Sequence, residues 1–300
     1  MSTNTTAVSA STMKWAIPER YKVFLQQGMV LLVVVLLAVF FTIMKPNFAS
    51  WSNISSLLLA SVVTGVQALG LSFVIATGGI DLTPGLGMAA TSTFTAILIA
   101  DAGLRLPIWV GILGGLLAGA LIGLINGSLV AYVRMQPMIA TLAMMMVCAG
   151  TALVIANGKT ISLRSIQGWE SIAMGQVIPG VPNGVTILIL LAIIAGVVMN
   201  KTAIGRYSLA IGSNKEATRI SGVNTRRWEV LAYVICGVFT GISGILMSSR
   251  LAAAQPTLGQ GYEMYAIAAA VIGGTSLRGG RASIFGAVIG MLARLVLPGK

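Results

Sequence analysis

Apolar residues fill nine segments separated by polar turns, at roughly 23–44, 54–77, 82–100, 108–133, 136–157, 183–199, 229–249, 264–277 and 282–297. Three stretches, Leu82 to Ala100, Ile108 to Val133 and Gln136 to Asn157, contain no Asp, Glu, Lys or Arg. A hydrocarbon core of ~30 Å is crossed by about 20 apolar helical residues. Inside lipid the backbone can be satisfied only by helices or by a closed barrel. No strand-length alternation marks a barrel, so the pattern predicts an all-α polytopic membrane bundle. The last two segments are short and read as broken or re-entrant helices, tolerated only where protein buries them.

Residues 1–22 form a polar tail, and 23–300 a single transmembrane domain. The first apolar segment has no small-residue cleavage pattern after it, so it is read as a retained span. Two loops are long: 158–184 and 200–228, the second holding six basic residues. With the N-terminus in the cytoplasm, Lys45, Arg105, Lys159, Arg164 and Arg250 fall outside against twelve cations inside. That imbalance fixes the predicted orientation by the positive-inside bias. It places 158–184 outside and 200–228 in the cytoplasm, and suggests a cytoplasmic partner for the elaborate inner loop. A re-entrant eighth segment would flip everything after it.

Only 9% of residues are charged and mean hydropathy is +0.93, against about 25% charged in soluble domains. The net charge of +12 sits mostly in short loops, where cations anchor topology, so nucleic acid is not a partner. Cys148 and Cys236 lie within apolar runs and form no disulfide framework. With no His, a Ser-His-Asp set is impossible. Gly158-Lys159-Thr160 imitates the end of a phosphate loop, but Leu153 stands where the first glycine belongs. The chain carries no catalytic, metal or cofactor site, and any active transport must be powered from elsewhere.

Gly111, Gly115, Gly119, Gly123 and Gly127 recur every fourth residue. Such a stripe lets another helix backbone approach closely, within the subunit or at a subunit interface. Gly78 to Gly85 matches Gly273 to Gly280 at four of eight positions, by coincidence or as an internal repeat of the kind transporters use. Asp81 either caps the next helix or belongs to a translocation path, since an ionisable group at membrane depth is costly. Gln67 and Asn126 either hydrogen-bond within the bundle or line a path for a neutral, hydroxylated solute. In the inner loop, Ser213-Asn214-Lys215-Glu216 fits a capping box, with Ser213 as the cap and Glu216 reaching back. Gly222 supplies a left-handed stop. The short helix between them carries Ala217 and Ile220 on one side and Lys215 and Arg219 on the other. It either docks into a groove of a partner or lies on the bilayer.

Three ordered motifs then carry a family resemblance. Gly79-Ile80-Asp81-Leu82-Thr83 looks like the Gly-x-Asp-Leu-Ser signature of sugar ABC importer permeases. Ala210 to Ala217, continuing to Ser221-Gly222-Val223, is similar to their coupling loop. Glu263 to Arg281, with its Gly273-Gly274 and Gly279-Gly280 pairs, looks like their late glycine motif. Over roughly residues 29–290 the chain resembles the ribose, xylose, arabinose and galactose permeases. The resemblance implies a type II ABC importer permease fold, usually of ten helices, working as a homodimer in a bacterial inner membrane. It implies two cytoplasmic ATP-binding subunits, a periplasmic sugar-binding protein and a monosaccharide substrate, a pentose or related sugar. The 213–222 helix would seat in the ATPase, with Glu216, Ala217 and Gly222 as coupling positions. Similar permeases continue with a full ninth helix and a tenth, whereas here the sequence runs from Met291 to Leu-Ala-Arg-Leu-Val-Leu-Pro-Gly-Lys. A secondary carrier, and permeases for branched-chain amino acids or nucleosides, are the alternative readings.

Overall fold

The computed structural model describes residues 19–292. The sequence expectations for the tail before Glu19 and for the last segment beyond Leu292 lie outside the described residues. The helices are α1 (Glu19–Met44), α2 (Trp51–Ala76), α3 (Pro84–Ile99), α4 (Ile108–Ala131), α5 (Pro137–Ile155), α6 (Ser171–Met174), α7 (Asn183–Lys201), α8 (Ala203–Ser213), α9 (Lys215–Ile220), α10 (Thr225–Leu251), α11 (Tyr262–Ile272) and α12 (Ile284–Leu292). Two residue pairs, β1 (Ile161–Ser162) and β2 (Ala253–Ala254), form a small antiparallel ladder. Among the described residues six helices, including α2, α4, α5, α7 and α10, are long and apolar enough to cross a membrane.

α2 is the axis of the bundle. It is buried almost continuously from Leu59 to Ala76, with α10, α11, α12 and α7 packed around it. α4 presents Leu113, Leu117 and Leu121 outward, the face expected toward lipid, while its glycines face inward.

Two spans are broken. α2 ends at Gly78 (φ +86), where Gly79 N–H reaches Val74 C=O and Gly78 N–H reaches Ile75 C=O. This double bond with a left-handed glycine closes the helix end. The chain then turns back as an extended segment to Pro84, whose carbonyl accepts from Gln67 Nε2 at 3.0 Å. Gln67 lies roughly two and a half turns before the end of α2, so α3 starts deep within the bundle. The same construction follows α10. Ala252 is left-handed (φ 49), β2 extends the chain, and α11 starts beside Gly85, which touches Gly259 and Glu263.

From that meeting point the two half-helices diverge. α3 ends at Ile99, clustered with Ile161 and Ala254. α11 leads to Gly280, whose N–H bonds the Ala76 carbonyl at the end of α2 (3.0 Å). Segment eight therefore crosses as an extended stretch plus a half-helix, and the chain after it is not flipped.

The eight-residue match of 78–85 with 273–280 is not a structural repeat. It pairs Gly78 with Gly273, yet Gly273 is right-handed (φ −67) and the left-handed residue is Gly274 (φ +101). Those two loops are instead neighbours in space, with Arg278 beside Gly78. Each half-helix follows a left-handed residue, Gly78 before α3 and Ala252 before α11, but the stretches between differ, 79–83 against 253–261, the second containing β2 and two left-handed glycines.

Candidate functional site

The α2–α3 turn gathers all three polar residues singled out in the spans. Asp81 is buried, and its carboxylate accepts from Thr83 N–H at 2.8 Å. It does not cap α3, as one expectation had it: the N-cap is Thr83, whose side chain makes no capping bond. Asp81 closes an Asx turn ahead of the helix. Asn126 Nδ2 donates to Thr83 Oγ1 at 2.7 Å, and Gln67 holds Pro84 as described. All three are essentially inaccessible, and their hydrogen bonds fix the break in the backbone. The Oε1 of Gln67 and Oδ1 of Asn126 have no partner.

Thr141 of α5 completes the cluster and was not singled out from sequence. Its hydroxyl accepts from Leu82 N–H at 3.2 Å, and its carbonyl accepts from the Thr83 hydroxyl at 3.2 Å. Nothing local marks Thr141, since its partner lies nearly sixty residues away. Glu263 was also passed over, although a lone acid at the head of an apolar segment is a signal. One of its oxygens accepts from Gly261 N–H (3.1 Å), and the other is buried beside Gly85 without a hydrogen-bond partner.

The glycine stripe lies within the subunit, against α3 at one end and α10 along the rest. A methyl at Gly111 would meet Ile99, and one at Gly115 would meet Thr95. Gly119 faces the Gly237 and Gly241 backbone, Gly123 faces the Tyr233 carbonyl, and a methyl added at Gly127 would stand 2.8 Å from the Val230 Cα. Gly237 reciprocates on Gly119, and Gly241 on Gly115. Two glycine faces therefore bring α4 and α10 into backbone contact, gaining dispersion rather than hydrophobic energy in lipid.

The 200–228 loop holds two helices, not one. α8 ends at Ser213, and the cap of α9 is Asn214, whose side chain accepts from Ala217 N–H at 2.9 Å. The expected capping box is not formed, because Glu216 binds Arg219 instead of reaching back. That contact holds Glu216 below the usual carboxylate range. Gly222 (φ +85) stops the helix as expected, with Val223 N–H bonded to Thr218 C=O. Ala217 and Ile220 are exposed, Ile220 to 74%. Lys215 pairs with the buried Glu229 of α10 at 2.6 Å.

Ser213 has another place. It packs on Gly280, while Gly212 lies against the Ala76 carbonyl and Gly280 N–H. The α8–α9 corner thus rests on the late glycine loop and on the last carbonyl of α2. A continuous set of backbone contacts runs from the α8–α9 corner to the α2–α3 turn.

The profile described as "Branched-chain amino acid transport system / permease component" matches residues 53–297. The chain belongs to this permease family. It is 37% identical over 273 residues to the ribose import permease protein RbsC of Escherichia coli K12, covering 89% of this chain and 83% of that one. It is 40% identical to RbsC of Bacillus subtilis, covering 86% and 79%. It is 36% identical to the L-arabinose transport system permease protein AraH of E. coli K12, covering 89% and 80%. No solved structure matches. As a permease of this family the chain is a multi-pass helical membrane protein, and the sequence resemblance to sugar permeases is correct.

Proposed function

We propose that this permease is the membrane subunit of an ATP-driven importer for a monosaccharide, a pentose or related sugar. It works as a homodimer with two cytoplasmic ATP-binding subunits and a periplasmic sugar-binding protein. The observation that carries the reading is α9: a short, capped helix with exposed Ala217 and Ile220, seated on the glycine loop that abuts α2. Too short to gain much from lipid, it presents an apolar tip suited to a groove. Its end of the bundle is basic and faces the cytoplasm with the N-terminus, in keeping with the positive-inside bias.

When the ATPase pair closes, force on α9 passes through Gly212 and Ser213 to Gly280 and Ala76, and so to the α2–α3 turn. There Gln67, Asp81 and Asn126 hold the wall of the path in shape. The energy source lies in the ATP-binding subunits, and the sugar is selected mainly by the binding protein. The relatives named for ribose and arabinose import favour a pentose.

The test is reconstitution in lipid with the candidate ATPase and binding protein. Labelled pentose should accumulate only with ATP, and Glu216→Arg should abolish ATPase association. Uptake that persists without an ATPase subunit, or unchanged association in Glu216→Arg, would reject the assignment.

A further inference from the structure

A polar cavity of about 840 Å³ opens at the basic end of the bundle. It lies between the α2–α3 turn, the α4–α5 turn, α9 and the first turn of α10. Its wall carries the cations Arg134, Lys215, Arg219 and Arg226 and the carboxylates Glu216 and Glu229. Both carboxylates are already neutralised, Glu229 by Lys215 and Glu216 by Arg219. Among the described residues, Arg134 and Arg226 form no ion pair, and Arg226 lies over the Tyr132 ring, 5.9 Å from its centroid. Two positive charges are therefore left uncompensated on one concave surface.

The backbone adds to that charge. Thr225 and Arg226 begin the long helix α10, and the Asn224 side chain takes only the Arg227 amide. The positive end of the α10 dipole thus opens on the same space.

We propose that this cavity binds a phosphoryl group carried on a small polyol, either a soluble phosphomonoester or the headgroup of an anionic lipid. A phosphomonoester carries about −1.5 to −2 charge, which matches the two unpaired guanidinium groups, and a singly anionic phosphodiester headgroup is held by the same pair. Arginine binds phosphate through paired N–H donors. The volume leaves room beside the phosphoryl group for several hydroxyls, with Gln136 and Thr225 as polar wall. The ligand lies between α9 and the α2–α3 turn, with its hydroxyls rather than its phosphoryl group toward Gly78 and Gly79, whose N–H groups are both committed to the end of α2. Occupancy therefore restrains the element that receives force from the ATPase, and the site regulates transport from the cytoplasmic side.

The experiment uses the purified full-length chain in nanodiscs. In phosphatidylcholine discs it is titrated with inorganic phosphate and with glycerol 3-phosphate. In discs containing phosphatidylglycerol, retained lipid is counted by native mass spectrometry. Saturable binding in one arm is expected, weakened about tenfold by Arg134→Gly or Arg226→Ala, as for loss of a hydrogen bond to a charged group. Arg134 has φ +63, which glycine adopts freely, so Arg134→Gly removes charge without straining the turn. Arg105→Ala, at the opposite end, leaves binding unchanged. Saturation by phosphate or glycerol 3-phosphate assigns a soluble ester, and retention of phosphatidylglycerol assigns a lipid headgroup. Absence of both, or binding that survives both substitutions, overturns the proposal. No ATPase subunit is used, so this failure would leave the permease reading standing.

Discussion

The carboxylate of Glu263, in the first turn of α11, lies directly against Gly85, in the first turn of α3. Two half-helices, each entered through an extended segment, thus meet at their N-termini inside the bundle. Both positive dipole ends converge there, and Glu263 is the acid that offsets them.

Gly85→Ala should be costly. The added methyl would meet the Glu263 carboxylate and stand 2.7 Å from the Gly259 carbonyl, and backbone cannot yield as a side chain does. A loss of about 1–3 kcal/mol is expected for such overpacking. A lower midpoint of thermal unfolding in detergent checks it. Trimming Glu263 as well should recover only part of the loss, because the Gly259 carbonyl remains.

The α4–α10 seam gives a second contrast. Gly119→Val should push α4 from the Gly237 backbone and destabilise the bundle by more than about 2 kcal/mol. Gly150→Ala, with nothing within 4 Å of the added methyl, should be neutral or raise stability by up to about 1 kcal/mol. Parallel melts of the two variants read the difference.

Asn126→Leu removes the partner of the Thr83 hydroxyl, which still donates to the Thr141 carbonyl. It also removes the unpartnered Asn126 Oδ1. Losing a buried hydrogen bond costs about 1–3 kcal/mol when the other partner is left unsatisfied. The lower end is expected here. Faster hydrogen exchange should be confined to residues 80–83, and loss of protection spread over the whole bundle would contradict the local role.

Gly212→Ala addresses transmission. A methyl there would meet the Ala76 carbonyl and Gly280 N–H, shifting the α8–α9 corner without touching the exposed face of α9. ATPase capture should persist while ATP-dependent uptake falls about tenfold or more. Gly222→Val should instead weaken capture, since a branched residue at φ +85 is strained by about 1–2 kcal/mol.

Acid should loosen α9. Arg219 holds Glu216 below the ordinary carboxylate range, so the pair's contribution is complete above the unfolded value of about 4.3. It is lost only as pH falls through the lower folded value. Exchange of α9 amides should therefore be flat from neutral pH to near 5, after correction for intrinsic rates, and rise below 4. An Arg219→Gln variant should lack that acid step.

The place of the six long spans, the all-α class, the glycine stripe and the left-handed stop at Gly222 were legible in the chain, whereas the run 82–100, read there as a span, is the half-helix α3. Each depends on local chemistry: uncharged length, the period of missing side chains, or the one residue tolerant of positive φ. The family was legible too, from Gly79 to Thr83, the loop around Asn214 and the glycines after Ile272. Tertiary structure alone decided which helix the stripe meets, that Asn214 rather than Ser213 caps α9, and that Asp81 braces a turn rather than capping α3. It also decided that α3 and α11 begin side by side inside the bundle, at Gly85 and Glu263. Thr141, Gly280 and Glu263 gain their meaning from partners tens to hundreds of residues away. The entries into the two half-helices differ in sequence and in length, because such an entry can be built from many side chains provided the surrounding helices satisfy its polar groups.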